Sequence, residues 1–197
     1  MLIKAFEVGQ LSTNCYIVID EKTLCCAIID PGAESGRILN YLAENNLKPV
    51  CIFLTHGHYD HTGAAKELRE ALQCPVYLHE ADLALPRFLT RGWLYHDRSY
   101  KEGDEISVGK LRFTVMETPG HTAGSVCLRC ENALFTGDTL FRRSCGRTDL
   151  GGSQYEMQKS LDRLAAIPEN LRVFPGHMDE STLDEERRSN PYMRSGL

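Results

Sequence analysis

Four short apolar runs in this 197-residue chain end alike, in small turn residues followed by a histidine or an aspartate. Residues 50–54 lead into Thr55-His56-Gly57-His58-Tyr59-Asp60-His61, and residues 111–116 into Thr118-Pro119-Gly120-His121. Residues 133–136 lead into Gly137-Asp138, and 173–174 into Pro175-Gly176-His177. A polar side chain on a turn at the end of a strand is anchored by the sheet behind it. Glycine beside it lets the backbone come close to a crowded point. Side chains so placed converge, and the fold has to accommodate that convergence.

Further apolar runs between turn signals read as strands at residues 2–8, 15–20, 24–29, 76–78 and 126–130. Helical periodicity marks residues 35–45, where Ile38, Leu39 and Leu42 form one face, and also 62–72 and 155–166. A charged helix is expected at 179–188, and Asp30-Pro31-Gly32 reads as a turn between strand and helix. The order runs from hairpin-like strands through strand and helix, back to strands, then helix, strand, helix. That order predicts an α+β chain in which two mixed sheets pack together with helices outside. Residues 86–104 are the least regular stretch and are expected to be an insertion packed on the surface, with an active-site loop as the alternative.

The length suits one domain, with a core large enough that a metal is not needed to hold it together. A formal charge of -5 leaves no basic footprint, so no nucleic-acid partner is expected. No run approaches the roughly 20 apolar residues of a membrane span. The first residues lack the basic head and apolar run of a signal peptide, so a cytoplasmic location is expected. The eight cysteines lie mostly in apolar runs and are expected to be buried, reduced thiols. Cys127 and Cys130 form a CxxC, but on a strand they point to opposite faces.

Three of the seven histidines, with an aspartate, fall within residues 56–61. His56 and His58 can point to one side of an extended segment, while Asp60 and His61 lie where the chain turns into a helix. Imidazole nitrogen and carboxylate oxygen are typical zinc ligands. His79 and His96 lack such neighbours and are not taken as ligands; His79 reads as the start of a surface helix.

With the strand-end turns, these residues resemble the metallo-β-lactamase superfamily, and within it the small hydroxyacylglutathione hydrolase (glyoxalase II)-like proteins. The resemblance covers nearly the whole chain. It includes Asp138-Thr139-Leu140-Phe141, Gly146-Arg147-Thr148-Asp149-Leu150 and Glu185-Glu186-Arg187-Arg188-Ser189-Asn190-Pro191. It implies an αββα sandwich and two divalent metal ions, zinc first, with iron or manganese as alternatives. By the same resemblance His56, His58 and His121 hold one ion, Asp60, His61 and His177 the other, and Asp138 bridges them.

Two such ions about 3.5–4 Å apart can hold a hydroxide at neutral pH and polarise a carbonyl. A thioester fits, because its leaving thiolate, with a pKa of about 8.5, departs without a protonated side chain. The expected activity is hydrolysis of a small-molecule thioester such as S-lactoylglutathione, with Asp60 and Asp138 as catalytic carboxylates. Arg142, Arg143 and Arg147 follow the bridge, and a cation there can bind a substrate carboxylate. The resemblance singles out Arg147, with Arg143 and Tyr59 as further substrate contacts.

The ligand set weighs against other branches of the superfamily. True β-lactamases lack the bridging aspartate, flavodiiron proteins resemble HxExDH, and the nucleases carry a large extra domain. A mononuclear iron persulfide dioxygenase is the main alternative, since it shares Cys145-Gly146-Arg147-Thr148-Asp149; a non-catalytic binding module is the third. Classical glyoxalase II enzymes continue into a helical domain, whereas twenty residues follow His177 here, and Asp149 stands where those enzymes have a tyrosine.

Overall fold

A computed structural model describes residues 1–193. The chain opens with strands β1 (Leu2–Val8), β2 (Thr13–Ile19) and β3 (Cys25–Ile29), then helix α1 (Ser35–Glu44) and β4 (Lys48–Phe53). Two short helices come next, α2 (Tyr59–Thr62) and α3 (Ala65–Leu72), then β5 (Val76–His79), a 3-10 turn at Glu80–Ala84, α4 (Arg87–Thr90) and β6 (Arg98–Tyr100). After them stand β7 (Glu105–Val108), β8 (Leu111–Glu117), β9 (Val126–Cys130) and β10 (Ala133–Gly137). A small ribbon, β11 (Leu140–Phe141) with β12 (Ser144–Cys145), precedes α5 (Gln154–Ala165). The last elements are β13 (Arg172–Pro175), β14 (Ser181–Thr182), α6 (Leu183–Ser189) and a 3-10 turn at Pro191–Met193.

One six-stranded sheet runs β1-β2-β3-β4-β5-β6 and the other β14-β13-β10-β9-β8-β7. Both are mixed. The first is antiparallel across β1, β2 and β3 and parallel from β3 to β6; in the second, only β10 and β13 are parallel. Strand alternation sends Phe53, Phe113, Phe135 and Phe174 into the layer between the sheets. Ile28, Ile52 and Leu78 face outward beneath Ile38 and Leu42 of α1 and Leu68 of α3. Leu134 and Val173 face Met157, Leu161 and Leu164 of α5 on the far side. This is the four-layer αββα sandwich that the resemblance implies, and it agrees with the two packed sheets and outer helices expected from the element order. Cys127 and Cys130 fall in different layers, and all eight thiols are free. Burial pushes Cys127 and Cys130 each up to about 12, so neither carries a reactive thiolate at neutral pH.

Strand direction decides where the polar turns meet. β8 and β10 both lie antiparallel to β9, and β10 is parallel to β13, so all three finish at the same end of their sheet. β3, β4 and β5 likewise finish together in the other sheet. At that end the sheets are tied: Val126 N–H donates to Thr55 O at 2.9 Å, and Asn14 N–H to Gly176 O at 2.7 Å.

Several elements differ from the expectations of the sequence. The helix expected over 62–72 is two helices, broken where Gly63 packs against Pro31-Gly32 and Ala64 N–H donates to Pro31 O. The helix expected over 179–188 begins only at Leu183, because Ser181–Thr182 pair with β13 and the Thr182 hydroxyl caps the helix. Residues 86–104 are not a plain surface insertion: they add the edge strand β6 to the first sheet, and Arg91 and Trp93 line a cavity together with Tyr59 and Asp60. Among the described residues no helix is long and apolar enough to cross a membrane.

Candidate metal centre

The common strand end gathers the four polar turns. His56 and His58 leave β4, and Asp60 and His61 sit on α2 directly after them. His121, Asp138 and His177 arrive on the turns after β8, β10 and β13. His56, His58 and His121 form one group, and Asp60, His61 and His177 another; in each, one ligand atom per residue lies within 4.8 Å of the others. Asp138 joins them through a third group with His56 and His61. Its Oδ1 is 3.3 Å from His61 Nε2, and its Oδ2 is 3.5 Å from His121 Nε2 and 3.6 Å from His177 Nε2.

The donor set fits divalent cations on three counts. First, ligands about 2.0–2.2 Å from a common ion stand roughly 3.4 Å apart at tetrahedral angles. The separations His61–Asp60 (3.5 Å), His177–Asp60 (3.3 Å) and His61–His177 (3.3 Å) match that spacing. Second, His56 Nε2, His58 Nε2 and Asp138 Oδ1 are buried without a well-aligned hydrogen-bond partner. Unpaired buried polar atoms are costly, and His56 Nε2 and Asp138 Oδ1, which share one ligand group, point to a cation that completes them. Third, His58 Nδ1 and His121 Nε2 face each other at 2.8 Å, so two rings of the first group already converge on one point.

Charge is divided across the centre. Burial, reinforced by the surrounding histidines, drives His56 well below its usual range and His58 down to about 4. Burial also opposes a charge on His61, but the Asp138 and Asp30 carboxylates outweigh it and hold this imidazole well above its usual range. His177 is raised, with burial overcome by Asp60 and Asp138. Asp60 and Asp138 are lowered in turn: burial opposes their charge, and His177 and His61 respectively prevail.

A further ring of contacts holds these side chains. Asp30, at the end of β3, accepts from Thr55 N–H and Thr55 Oγ1 and meets His61 Nδ1 at 2.9 Å, which leaves Nε2 facing Asp60 and Asp138. The Arg147 carbonyl does the same for His121 Nδ1 at 2.7 Å, and Thr13 Oγ1 donates to Asp60 at 3.1 Å. Asp82 is fully buried and accepts from Gly57 N–H, Gly124 N–H and Thr122 Oγ1, so it ties the turn after β4 to the turn after β8. Sequence reasoning missed Asp30 and Asp82. Asp30 also stands at a strand end beside proline and glycine, though ahead of them, and was legible to that extent. Asp82 follows His79, which reads from the sequence as the start of a surface helix but instead caps the 3-10 turn and meets Glu117 at 3.1 Å.

The expected substrate contacts lie in two places. Arg147 is exposed and forks onto Asp149 at 2.6 Å through two nitrogens; its side chain is engaged there, and its carbonyl is what touches the centre. Arg143 stands 3.7 Å from Glu185, and Arg142 pairs with Asp179. Tyr59 borders the cavity that Asp60 also lines.

A family model described as the metallo-beta-lactamase superfamily matches residues 8–177. Among curated relatives, the probable metallo-hydrolase YqgX of Bacillus subtilis is 37% identical, over 96% of both chains. Hydroxyacylglutathione hydrolase GloC of Haemophilus influenzae is 32% identical, over 99% of both. Among solved structures, TTHA1623 in a di-iron-bound form is 38% identical with a TM-score of 0.84, covering 96% of this chain and 99% of that one. ETHE1 from Myxococcus xanthus is 34% identical with a TM-score of 0.86, covering 97% and 84%. The BLEG-1 B3 metallo-beta-lactamase is 32% identical with a TM-score of 0.89, covering 98% and 99%.

Proposed function

The chain belongs to the metallo-beta-lactamase superfamily, and on that premise we propose that it is a dinuclear metal-dependent hydrolase of small-molecule thioesters. The observation that carries this reading is the pair of three-residue ligand groups with Asp138 between them. His56, His58 and His121 would hold one ion and Asp60, His61 and His177 the other, with Asp138 shared. When bound, two divalent ions supply a water of lowered pKa and an electrophile that polarises the carbonyl.

The chain's own residues do the rest. Asp30 and the Arg147 carbonyl hold the outer nitrogens of His61 and His121, so that each ring presents one fixed nitrogen to the centre. Asp60 and Asp138 are kept ionised at neutral pH by His177 and His61, so both would offer charged oxygens to the ions, and Asp60, in one ligand group only, would also orient the attacking water. A thiolate leaving group needs no protonated side chain at its departure, which agrees with the absence of an obvious acid beside the ligands among the described residues. The name of the relative GloC points to the same bond class, with S-lactoylglutathione as the first substrate to try. Zinc is the first metal to load, with iron next in view of the di-iron form of TTHA1623.

A second reading, a mononuclear iron persulfide dioxygenase, is favoured by Cys145-Gly146-Arg147-Thr148-Asp149 and by the likeness to ETHE1. It would leave the Asp60, His61 and His177 group without a role. Metal analysis with a thioester panel, a β-lactam control and oxygen uptake separates the readings. Two metals per chain with thioester turnover are expected, and Asp138→Ala should lower that turnover by about 100-fold or more, as loss of a direct ligand exceeds the cost of an outer-layer change. One iron with oxygen consumption, or full turnover in Asp138→Ala, would overturn the dinuclear hydrolase.

A further inference from the structure

A cavity of about 220 Å³ adjoins the metal centre, sharing Asp60 with it. Its other walls include Gln10 and Leu11 from the turn between β1 and β2, Tyr59 from α2, and Arg91 and Trp93 from the segment after α4. The Arg91 guanidinium lies 3.8 Å from the centre of the Tyr59 ring and 5.8 Å from that of Trp93. Among the described residues no carboxylate pairs with it. Arg147, Arg143 and Arg142, by contrast, all face acids of their own.

The position of this cation is built. Arg91 takes a left-handed backbone (φ 50°), and the buried Thr90 holds the turn by accepting from Gly92 N–H at 3.2 Å and from Trp93 N–H at 2.9 Å. On one side Leu89 is buried; on the other Leu94 and Tyr95 pack on the outer core. Leu11 and Trp93 are about half exposed, at 51% and 54%, and give the cavity an apolar rim. A guanidinium held on aromatic faces, with its N–H donors unpaired by acids, is suited to an anion presented edge-on.

We infer that Arg91 and Trp93 bind an anionic group, carboxylate or phosphate, on the thiol half of the substrate, whose thioester carbonyl lies toward the centre across Asp60. The inference rests on the thioesterase reading. A small 2-hydroxyacyl group carries no anion once it is joined to sulfur, so the charge that Arg91 meets has to be on the carrier. The apolar stem of the carrier then crosses Leu11 and Trp93. This assigns carrier recognition to the segment after α4 instead of to Arg147.

Trp93 is the only tryptophan in the chain, so its fluorescence reports binding without turnover. The metal-loaded protein would be titrated with three non-hydrolysable methyl thioethers: of glutathione (carboxylates), of coenzyme A (phosphates), and of uncharged N-acetylcysteamine. At least one anionic thioether should saturate the signal, and which one does identifies the anion. Arg91→Asn, which tolerates the left-handed backbone, should weaken that binding by about 10-fold or more and leave the uncharged thioether unchanged. Thermal melts would check that the variant is folded. Anionic thioethers that bind no better than the uncharged one, or unchanged binding in Arg91→Asn, would overturn the assignment. Absent thioester turnover with anion binding intact would overturn the hydrolase reading and not the site. Turnover whose KM for anionic carriers ignores Arg91 would overturn the site and not the hydrolase.

Discussion

At the scale of single residues, the metal-free centre is a proton store as well as a ligand set. Asp138 and Asp30 raise His61 well above its usual range and Asp60 and Asp138 raise His177, both against the cost of burial, whereas burial keeps His56 and His58 neutral. A divalent ion takes only unprotonated imidazole, so its binding expels protons from the His61 and His177 side and meets no proton competition at His58 above pH about 4. Because the raised values belong to the metal-free state, metal affinity falls as pH falls through them. Zinc titration of metal-free protein at pH 7, in two buffers of different ionisation enthalpy, should show release of about one proton or more per chain. Equal heats in the two buffers would contradict it.

At the scale of elements, the centre depends on how closely the strand-end turns approach. A Cβ on Gly176 would overlap the Asp138 carboxylate and lie 2.6 Å from His61 Cε1, so the turn after β13 can pass only as glycine. Gly176→Ala is expected to weaken metal retention by about 10- to 100-fold, through displaced ligands, with the sheets unaffected. Competition against a chelator measures this, with far-UV circular dichroism as the control. Unchanged retention would mean that the turn relaxes without moving Asp138 or His61. Asp82 acts at the same scale, since its carboxylate spans turns after strands of different sheets.

At the scale of the whole molecule, three apolar layers are complete without the centre, which sits at one end of the sandwich. Removing metal should therefore lower the melting temperature without unfolding the protein at 25 °C. With metal at 100 times its Kd, the loss is about 2.7 kcal/mol, or roughly 5–11 °C for a chain of this size. Scanning calorimetry with and without chelator tests this. Loss of secondary structure at 25 °C on chelation would show that the centre is needed for folding.

The sequence by itself determined the donor types, their strand-end turns and the layered α+β pattern. These depend on short-range rules: apolar period, glycine and proline at turns, and ligand residues a few positions past a strand. His56 to His61 were legible as a cluster because nearness in the chain enforces nearness in space. Only the tertiary structure decided what depends on long-range pairing. Gly63 ends a helix because it packs on Gly32, and residues 181–182 join β13 instead of a helix. Asp30 and Asp82 become braces because parallel strands bring their ends to the same place. The arginines show the limit most directly. Arg147 and Arg143 are near the bridging aspartate in sequence but face acids, while Arg91, far from it in sequence, faces the cavity because its loop is folded against α2.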